Sequence, residues 1–262
     1  MKKITTVMFM LMIWAFIGFL QSCGNTAKDQ GEMQKPILQS EASATVNESG
    51  EGKEGADEGK GMRDMGTGSA AANTKEAAGL TFSEMQEAFK GETTASAKYA
   101  AYSKKAEAEG YHEIALLFNA ASLSEKTHAN NHKAVLEDAS QQVPVITPAF
   151  TVKTTKENLQ DALAGETYEI TTMYPQFITN AAASKNQLAQ ISLNYAYKTE
   201  QKHKVFYEKA LAALDANNVK SLPEVYYVCP TCGNTYDTTP PKRCGISMTN
   251  AEKFIRVTTI TS

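Results

Sequence analysis

Residues Gln86–Thr93 (QEAFKGET) recur at Gln160–Thr167 as QDALAGET, with five of eight positions identical and Glu92 falling on Glu166. Further along, Ser124-Glu125-Lys126-Thr127-His128 falls on Thr199-Glu200-Gln201-Lys202-His203. Each half of the sequence therefore carries a lone Glu and, downstream, a Glu-x-x-His. Residues three apart on an α-helix share a face, so Glu125 with His128, and Glu200 with His203, can close on one ion. A Glu from each of two helices and a Glu-x-x-His from each of the other two is the ligand set of di-iron carboxylate four-helix bundles. One Glu-x-x-His fits a solvated salt-bridge pair equally well. Two copies, each at a matched distance from a Gly-Glu-Thr segment, predict a duplicated metal site in an all-α bundle.

Four helices are legible around these motifs. Thr81-x-x-Glu84 reads as a capping box opening a helix over Phe82–Glu109, closed by Gly110 as a C′ residue. Tyr99 lies two turns beyond Glu92 and faces the bundle interior. A second helix over Tyr111–Asp138 has Ile114, Leu117, Phe118, Ala121, Leu123 and Leu136 at apolar positions. His132 follows His128 by one turn, but Tyr207 holds the matching place in the second half, so His132 is assigned outside the ligand set, behind it or at the surface. A third helix runs from Thr154, with Glu157 three residues on, to about Ser184. It carries Glu166 and also Glu169, which has no counterpart in the first half, where Ala95 stands. Pro175 removes one backbone bond from this helix and should kink it. The fourth helix, about Asn186–Asn217, offers Ile191, Leu193, Tyr195, Tyr197, Val205, Phe206 and Leu211 for packing. Between the second and third helices, Ala139–Lys153 contains Pro144 and Pro148 and no helical period. About fifteen residues at ~3.3 Å each reach roughly 50 Å, against about 42 Å for a helix of about 28 residues. This loop predicts the long crossover of a ferritin-like bundle.

The ends of the chain are of different character. Met1-Lys2-Lys3, an apolar run from Ile4 to Leu20 and then Gln21-Ser22-Cys23 describe an export signal over residues 1–22, too short and wrongly flanked for a spanning helix. Its form resembles a bacterial lipoprotein signal, with Cys23 as the lipidated residue; export and attachment to a bacterial membrane through that lipid alone are expected. Residues 23–79 are rich in Gly, Glu, Lys, Ala, Asn and Ser, with no aromatic residue and almost no branched aliphatic one, a composition that cannot offset its ordering entropy and predicts a disordered tether. About 55 such residues reach on the order of 40 Å. The remaining chain suits a bundle over 80–218 and a small module over 222–260. A net charge of −3 and the lack of a basic, aromatic-interleaved cluster give no reason to expect nucleic acid.

Apart from Cys23, the cysteines are Cys229, Cys232 and Cys244, all near the carboxy terminus. Cys229-Pro230-Thr231-Cys232-Gly233 has the Cys-x-x-Cys-Gly form of a metal knuckle. Cys244-Gly245 opens a second, and the fourth donor falls on Ser247. Three thiolates with a serine oxygen or water could hold iron or zinc. A Cys229–Cys232 disulfide with one thiol left over is the other reading of an odd number in an exported chain.

With both parts in view, about residues 80–257 resemble rubrerythrin, a ferritin-like di-iron bundle followed by a rubredoxin-like domain. The resemblance implies seven iron ligands, Glu92, Glu125, His128, Glu166, Glu169, Glu200 and His203, and site tyrosines Tyr99 and Tyr174. It implies reduction of hydrogen peroxide to water, two ferrous ions supplying two electrons, with Glu169 able to replace a histidine on one iron. It also implies a homodimer in which electrons return through the cysteine site, usually that of the partner subunit, from a reductase the sequence does not name. Ser247 and the lipoprotein-like leader depart from the family pattern.

Overall fold

The computed structural model describes residues 67–260, with side chains from Lys75 onward. The leader, Cys23 and most of the expected tether lie outside the described residues. Five α-helices form the bundle: α1 Thr67–Ala108, α2 His112–Asp138, α3 Thr155–Tyr168, α4 Tyr174–Ala183 and α5 Gln187–Asp215. Gly110 at φ +84° turns the chain out of α1, and Tyr111 N–H donates to the Ala106 carbonyl at 2.9 Å, so the expected stop is made by a left-handed glycine. Thr154 caps α3 in a capping box with Glu157, and Asn186 caps α5 by accepting from Ala189 N–H at 3.0 Å. The segment between α2 and α3 forms no helix or strand and makes the long crossover.

Three expectations are corrected. Helix α1 begins at Thr67, upstream of the boundary at 79–80, because Ala70, Ala71, Ala72, Ala77 and Ala78 extend an existing helix without a new nucleus. Thr81 is consequently no cap: it is buried within α1 and bonds the Ala77 carbonyl and Ser184 Oγ, while Glu84 accepts from Asn180 at 2.7 Å. Ile191 and Val205, expected to pack, lie on the outer face of α5 and are exposed, whereas Leu193, Ala196 and Phe206 turn inward.

The third helix is not simply kinked at Pro175. Residues Glu169–Met173 form a π-helical turn between α3 and α4, with Tyr174 N–H bonded to the Glu169 carbonyl. The wider turn lets α4 restart with Pro175 in its first turn, where a missing N–H is harmless.

Two apolar clusters fill the bundle, one built on Tyr99, Phe118, Leu159 and Tyr207, the other on Met85, Leu136, Phe177 and Leu193. On α1 and α2 the acidic and histidine positions fall between them in sequence, so the polar site lies in a layer shielded at both ends. Strands β1 Tyr226–Val228, β2 Thr235–Tyr236 and β3 Ile255–Val257 form an antiparallel sheet in the order β2-β1-β3. Tyr226, Val228 and Val257 join the first apolar cluster, and Asn119 Nδ2 donates to the Thr259 carbonyl at 2.9 Å, fixing the small module against α2.

Candidate metal centre

Helices α1, α2, α3 and α5 each bring one carboxylate into the layer, and α2 and α5 add a histidine one turn later. The donors form two groups, Glu92/Glu125/His128/Glu200 and Glu125/Glu166/Glu200/His203, with the atoms of each within 4.8 Å of one another. Glu125 and Glu200 belong to both. Glu125 turns Oε2 to His128 Nδ1 at 2.9 Å and Oε1 to His203 Nδ1 at 3.1 Å. Glu200 turns Oε1 to His128 Nδ1 at 2.8 Å and Oε2 to His203 Nδ1 at 2.7 Å. Each of these carboxylates thus spans two metal positions, and Glu92 and Glu166 each serve one.

The residues fit a pair of divalent ions. Glu92 Oε2 is buried with no hydrogen bond, and Glu125 Oε1 and both oxygens of Glu200 meet the histidine Nδ1 atoms at 2.7–3.1 Å without hydrogen-bond geometry, an arrangement too costly to keep unless cations satisfy it. Four carboxylates balance the charge of two divalent ions, and a carboxylate–imidazole set suits iron. Burial, then the neighbouring carboxylates, holds Glu92 and Glu166 well above the usual carboxylate range. Burial also pushes Glu125 up, but His203 and His128 outweigh it and hold the group at about 2. Burial works to lower His203, while Glu125 and Glu200 raise it to about 9.

The hydrogen bonds around the ligands follow the duplication. Tyr99 donates to Glu166 Oε1 at 2.9 Å, and Tyr174 donates to Glu92 Oε1. Behind Tyr99 stands Tyr207, ring centroids 5.7 Å apart; behind Tyr174 stands His132, whose Nε2 is 3.3 Å from the phenol oxygen and whose Nδ1 is 2.8 Å from Ser192 Oγ. His132 is fully buried, not at the surface, and lies behind the ligand set. Glu169, at the first residue of the π turn, is half-buried and stands outside both donor groups, although its charge is felt at Glu92 and Glu166.

The cysteine module caps the site. His128 Nε2 meets the Cys232 carbonyl at 3.0 Å, and His203 Nε2 meets Thr235 Oγ1 at 3.0 Å, leaving both Nδ1 atoms for metal. Ser124 Oγ donates to the Gly233 carbonyl at 2.8 Å, Asn131 Nδ2 to the Thr231 carbonyl at 2.9 Å, and Lys202 Nζ to Asn234 Oδ1 at 2.6 Å. Gly233, at φ +76°, sits so close that a Cβ would lie 2.3 Å from His128 Nε2. Cys229, Cys232 and Cys244 are free thiols, buried and grouped as a third candidate metal site. The role of Gly233 could have been read from the Cys-x-x-Cys-Gly motif, but nothing in the spacing marks Thr235, Ser124 or Ser192.

The Rubrerythrin family matches residues 85–211, a span that contains every Glu and His of the two donor groups. Over 176 residues the chain is 31% identical to Rubrerythrin-2 of Clostridium acetobutylicum, covering 67% of this chain and 95% of the relative. This chain belongs to the rubrerythrin family. Nigerythrin of Nitratidesulfovibrio vulgaris is 31% identical over 186 residues, covering 70% of this chain and 89% of nigerythrin. The structure of the fully reduced, all-ferrous state of nigerythrin superposes with a TM-score of 0.60 at 29% identity, over 67% of this chain and 86% of that one. A Desulfovibrio desulfuricans bacterioferritin, at 15% identity and a TM-score of 0.52, shares the bundle fold. The rubrerythrin bundle, its di-iron centre and the cysteine cluster are thus features of this chain.

Proposed function

We propose that this chain is a di-iron peroxidase that reduces hydrogen peroxide to water, with electrons relayed through the carboxy-terminal cysteine site. The observation that carries this reading is the His128 ring, which faces the metal position with Nδ1 and the Cys232 carbonyl with Nε2. A buried di-iron centre joined by one side chain to a cysteine-rich metal site suits a protein that passes electrons inward, more than one that stores iron.

Two ferrous ions held by Glu92, Glu125, His128, Glu166, Glu200 and His203 would supply the two electrons that O–O cleavage needs. The chain's own residues do the rest. Glu125 and Glu200 hold the two positions at a fixed separation. Tyr99 and Tyr174 orient Glu166 and Glu92 through their phenol protons. Glu169, at the edge of the site on a π turn, is placed to move toward the centre as positive charge builds there. The two apolar clusters keep bulk water from the layer.

Hydrogen peroxide is the substrate in this reading, and an unidentified reductase is the electron donor. A homodimer follows from the family resemblance. Export and lipid attachment at Cys23 follow from the leader sequence. The test is peroxide consumption by the iron-loaded chain under a chemical reductant. Turnover that vanishes when Cys232→Ala removes a sulfur donor of the carboxy-terminal site, with di-iron loading intact, supports the relay; full turnover in that variant contradicts it.

A further inference from the structure

The second half of the cysteine module is built like the first, one donor apart. Val228 pairs with Thr235 across the first knuckle, and Arg243 pairs with Asn250 across the second. Cys229 N–H donates to the Asn234 carbonyl at 3.0 Å and Cys244 N–H to the Thr249 carbonyl at 2.8 Å. Gly233 N–H donates to the Cys229 carbonyl at 2.9 Å and Met248 N–H to the Cys244 carbonyl at 3.0 Å. The amides of Thr231 and Cys232 point at the Cys229 sulfur, and those of Ile246 and Ser247 at the Cys244 sulfur. In every one of these matches Ser247 takes the place of Cys232.

Two details bear on a ligand. Met248 adopts φ +60° where the first knuckle has Gly233 at +76°. A side-chain-bearing residue is strained there, so the second knuckle keeps a costly backbone turn although it lacks the cysteine that such a turn presents. The Ser247 hydroxyl is also aimed: Oγ is 3.3 Å from Cys229 Sγ and 2.9 Å from Thr249 Oγ1, which bonds Thr231 Oγ1 at 2.8 Å. Cys232 Sγ and Cys244 Sγ stand 3.5 Å apart on the other side of the same small space.

We infer that Ser247 Oγ is the fourth ligand of a mononuclear iron site with three sulfurs and one oxygen. The oxygen binds as the alkoxide, its proton leaving to solvent as the iron–oxygen bond forms. Oxygen is a harder donor than sulfur and favours the ferric state, so the site has a lower reduction potential than an all-cysteine version of itself. The inference holds whether or not the bundle reduces peroxide.

The test uses the full chain loaded anaerobically with ferrous iron, then oxidised, as wild type, Ser247→Cys and Ser247→Ala. Electron paramagnetic resonance follows the mononuclear ferric ion, since the coupled diferric pair is silent, and a redox titration of that signal gives its potential. Wild type should load the site with a signal distinct from both variants. Ser247→Cys should need a potential higher by at least about 59 mV, a tenfold change in the oxidised-to-reduced ratio for one electron. Cadmium NMR of the wild-type chain, which needs no variant, should show one thiolate-rich resonance shifted toward oxygen ligation. A wild-type signal and potential unchanged in Ser247→Ala would overturn the inference. So would a Cys229–Cys232 disulfide, found by thiol counting, in a wild-type chain that takes up no mononuclear iron.

Discussion

His128 and Cys232 meet at 3.0 Å through an imidazole nitrogen and a backbone carbonyl, and the other nitrogen of the same ring lies 2.8 Å from the bridging Glu200. One buried side chain therefore joins a sulfur-ligand residue to the di-iron layer. The hydrogen bond fixes the ring so that Nδ1, with its lone pair, faces the metal position. It also makes the docking of the cysteine module part of the electronic structure of the site.

Gly233→Ala should loosen this docking. The added methyl group meets His128 Nε2 at 2.3 Å and Ser124 Oγ at 2.7 Å, and a residue with a Cβ is strained at φ +76°. A loss of about 1–3 kcal/mol in stability is expected, read as a lower denaturant midpoint. In rapid-mixing experiments re-reduction of the di-iron centre should slow while its initial oxidation by peroxide keeps its rate.

His132→Phe tests the group behind Tyr174. The substitution keeps a ring of similar bulk but strands Ser192 Oγ and removes one of the two partners of the Tyr174 phenol, which keeps Glu92, at about 1–3 kcal/mol. Burial holds His132 down to about 3, so the native ring is neutral at ordinary pH and the variant removes no charge. Thermal unfolding of the two proteins at neutral pH measures the difference.

The metal-free chain should lose stability as pH rises. Glu92 and Glu166 are held above their ordinary value of 4.5, so their contribution is complete below 4.5 and is lost as pH climbs. His203, raised from 6.5 to about 9, contributes fully below 6.5 and loses its contribution through about 9. His132 and Glu125 act in the opposite sense, but only below 6.5 and below 4.5 respectively. Between 6.5 and 9 the gap in Tm between iron-loaded and metal-free protein should widen, because metal replaces the protons the cluster otherwise needs. Calorimetry of both forms across that window checks the sign.

Glu169→Ala should separate turnover from loading. Glu169 stands outside both donor groups, so the two irons of the bundle should still bind, while peroxide turnover falls on the order of 10- to 100-fold. Iron analysis alongside steady-state rates decides it, and equal losses in both would make Glu169 an ordinary ligand.

The ligand set was readable because a duplicated Glu…Glu-x-x-His pattern has few uses other than a shared metal site, and helix geometry dictates which side chains converge. The stop at Gly110 and the start at Thr154 with Glu157 were readable for the same local reason. Thr81-x-x-Glu84 misleads because its partners, Ser184 and Asn180, come from the far end of α4 and the turn after it, and no local rule reports a tertiary bond. The π turn is signalled only indirectly, by Pro175, and it changes where Glu169 points. The comparison with Tyr207 places His132 outside the ligand set but leaves open whether it lies behind that set or at the surface; the two halves diverge there in chemistry and keep the same place behind a tyrosine. The docking of the cysteine module on His128 and His203 depends on a chain reversal that sequence spacing does not encode.

The most direct test of the peroxidase account mixes the anaerobic, fully reduced chain with hydrogen peroxide or with dioxygen in a stopped-flow instrument and follows the di-iron absorption. The account predicts oxidation much faster with peroxide than with dioxygen at equal concentration, and no iron uptake beyond the di-iron centre and the cysteine site. Faster oxidation by dioxygen, with iron accumulating well past those sites, would contradict it and make the chain an iron-oxidising and storing protein.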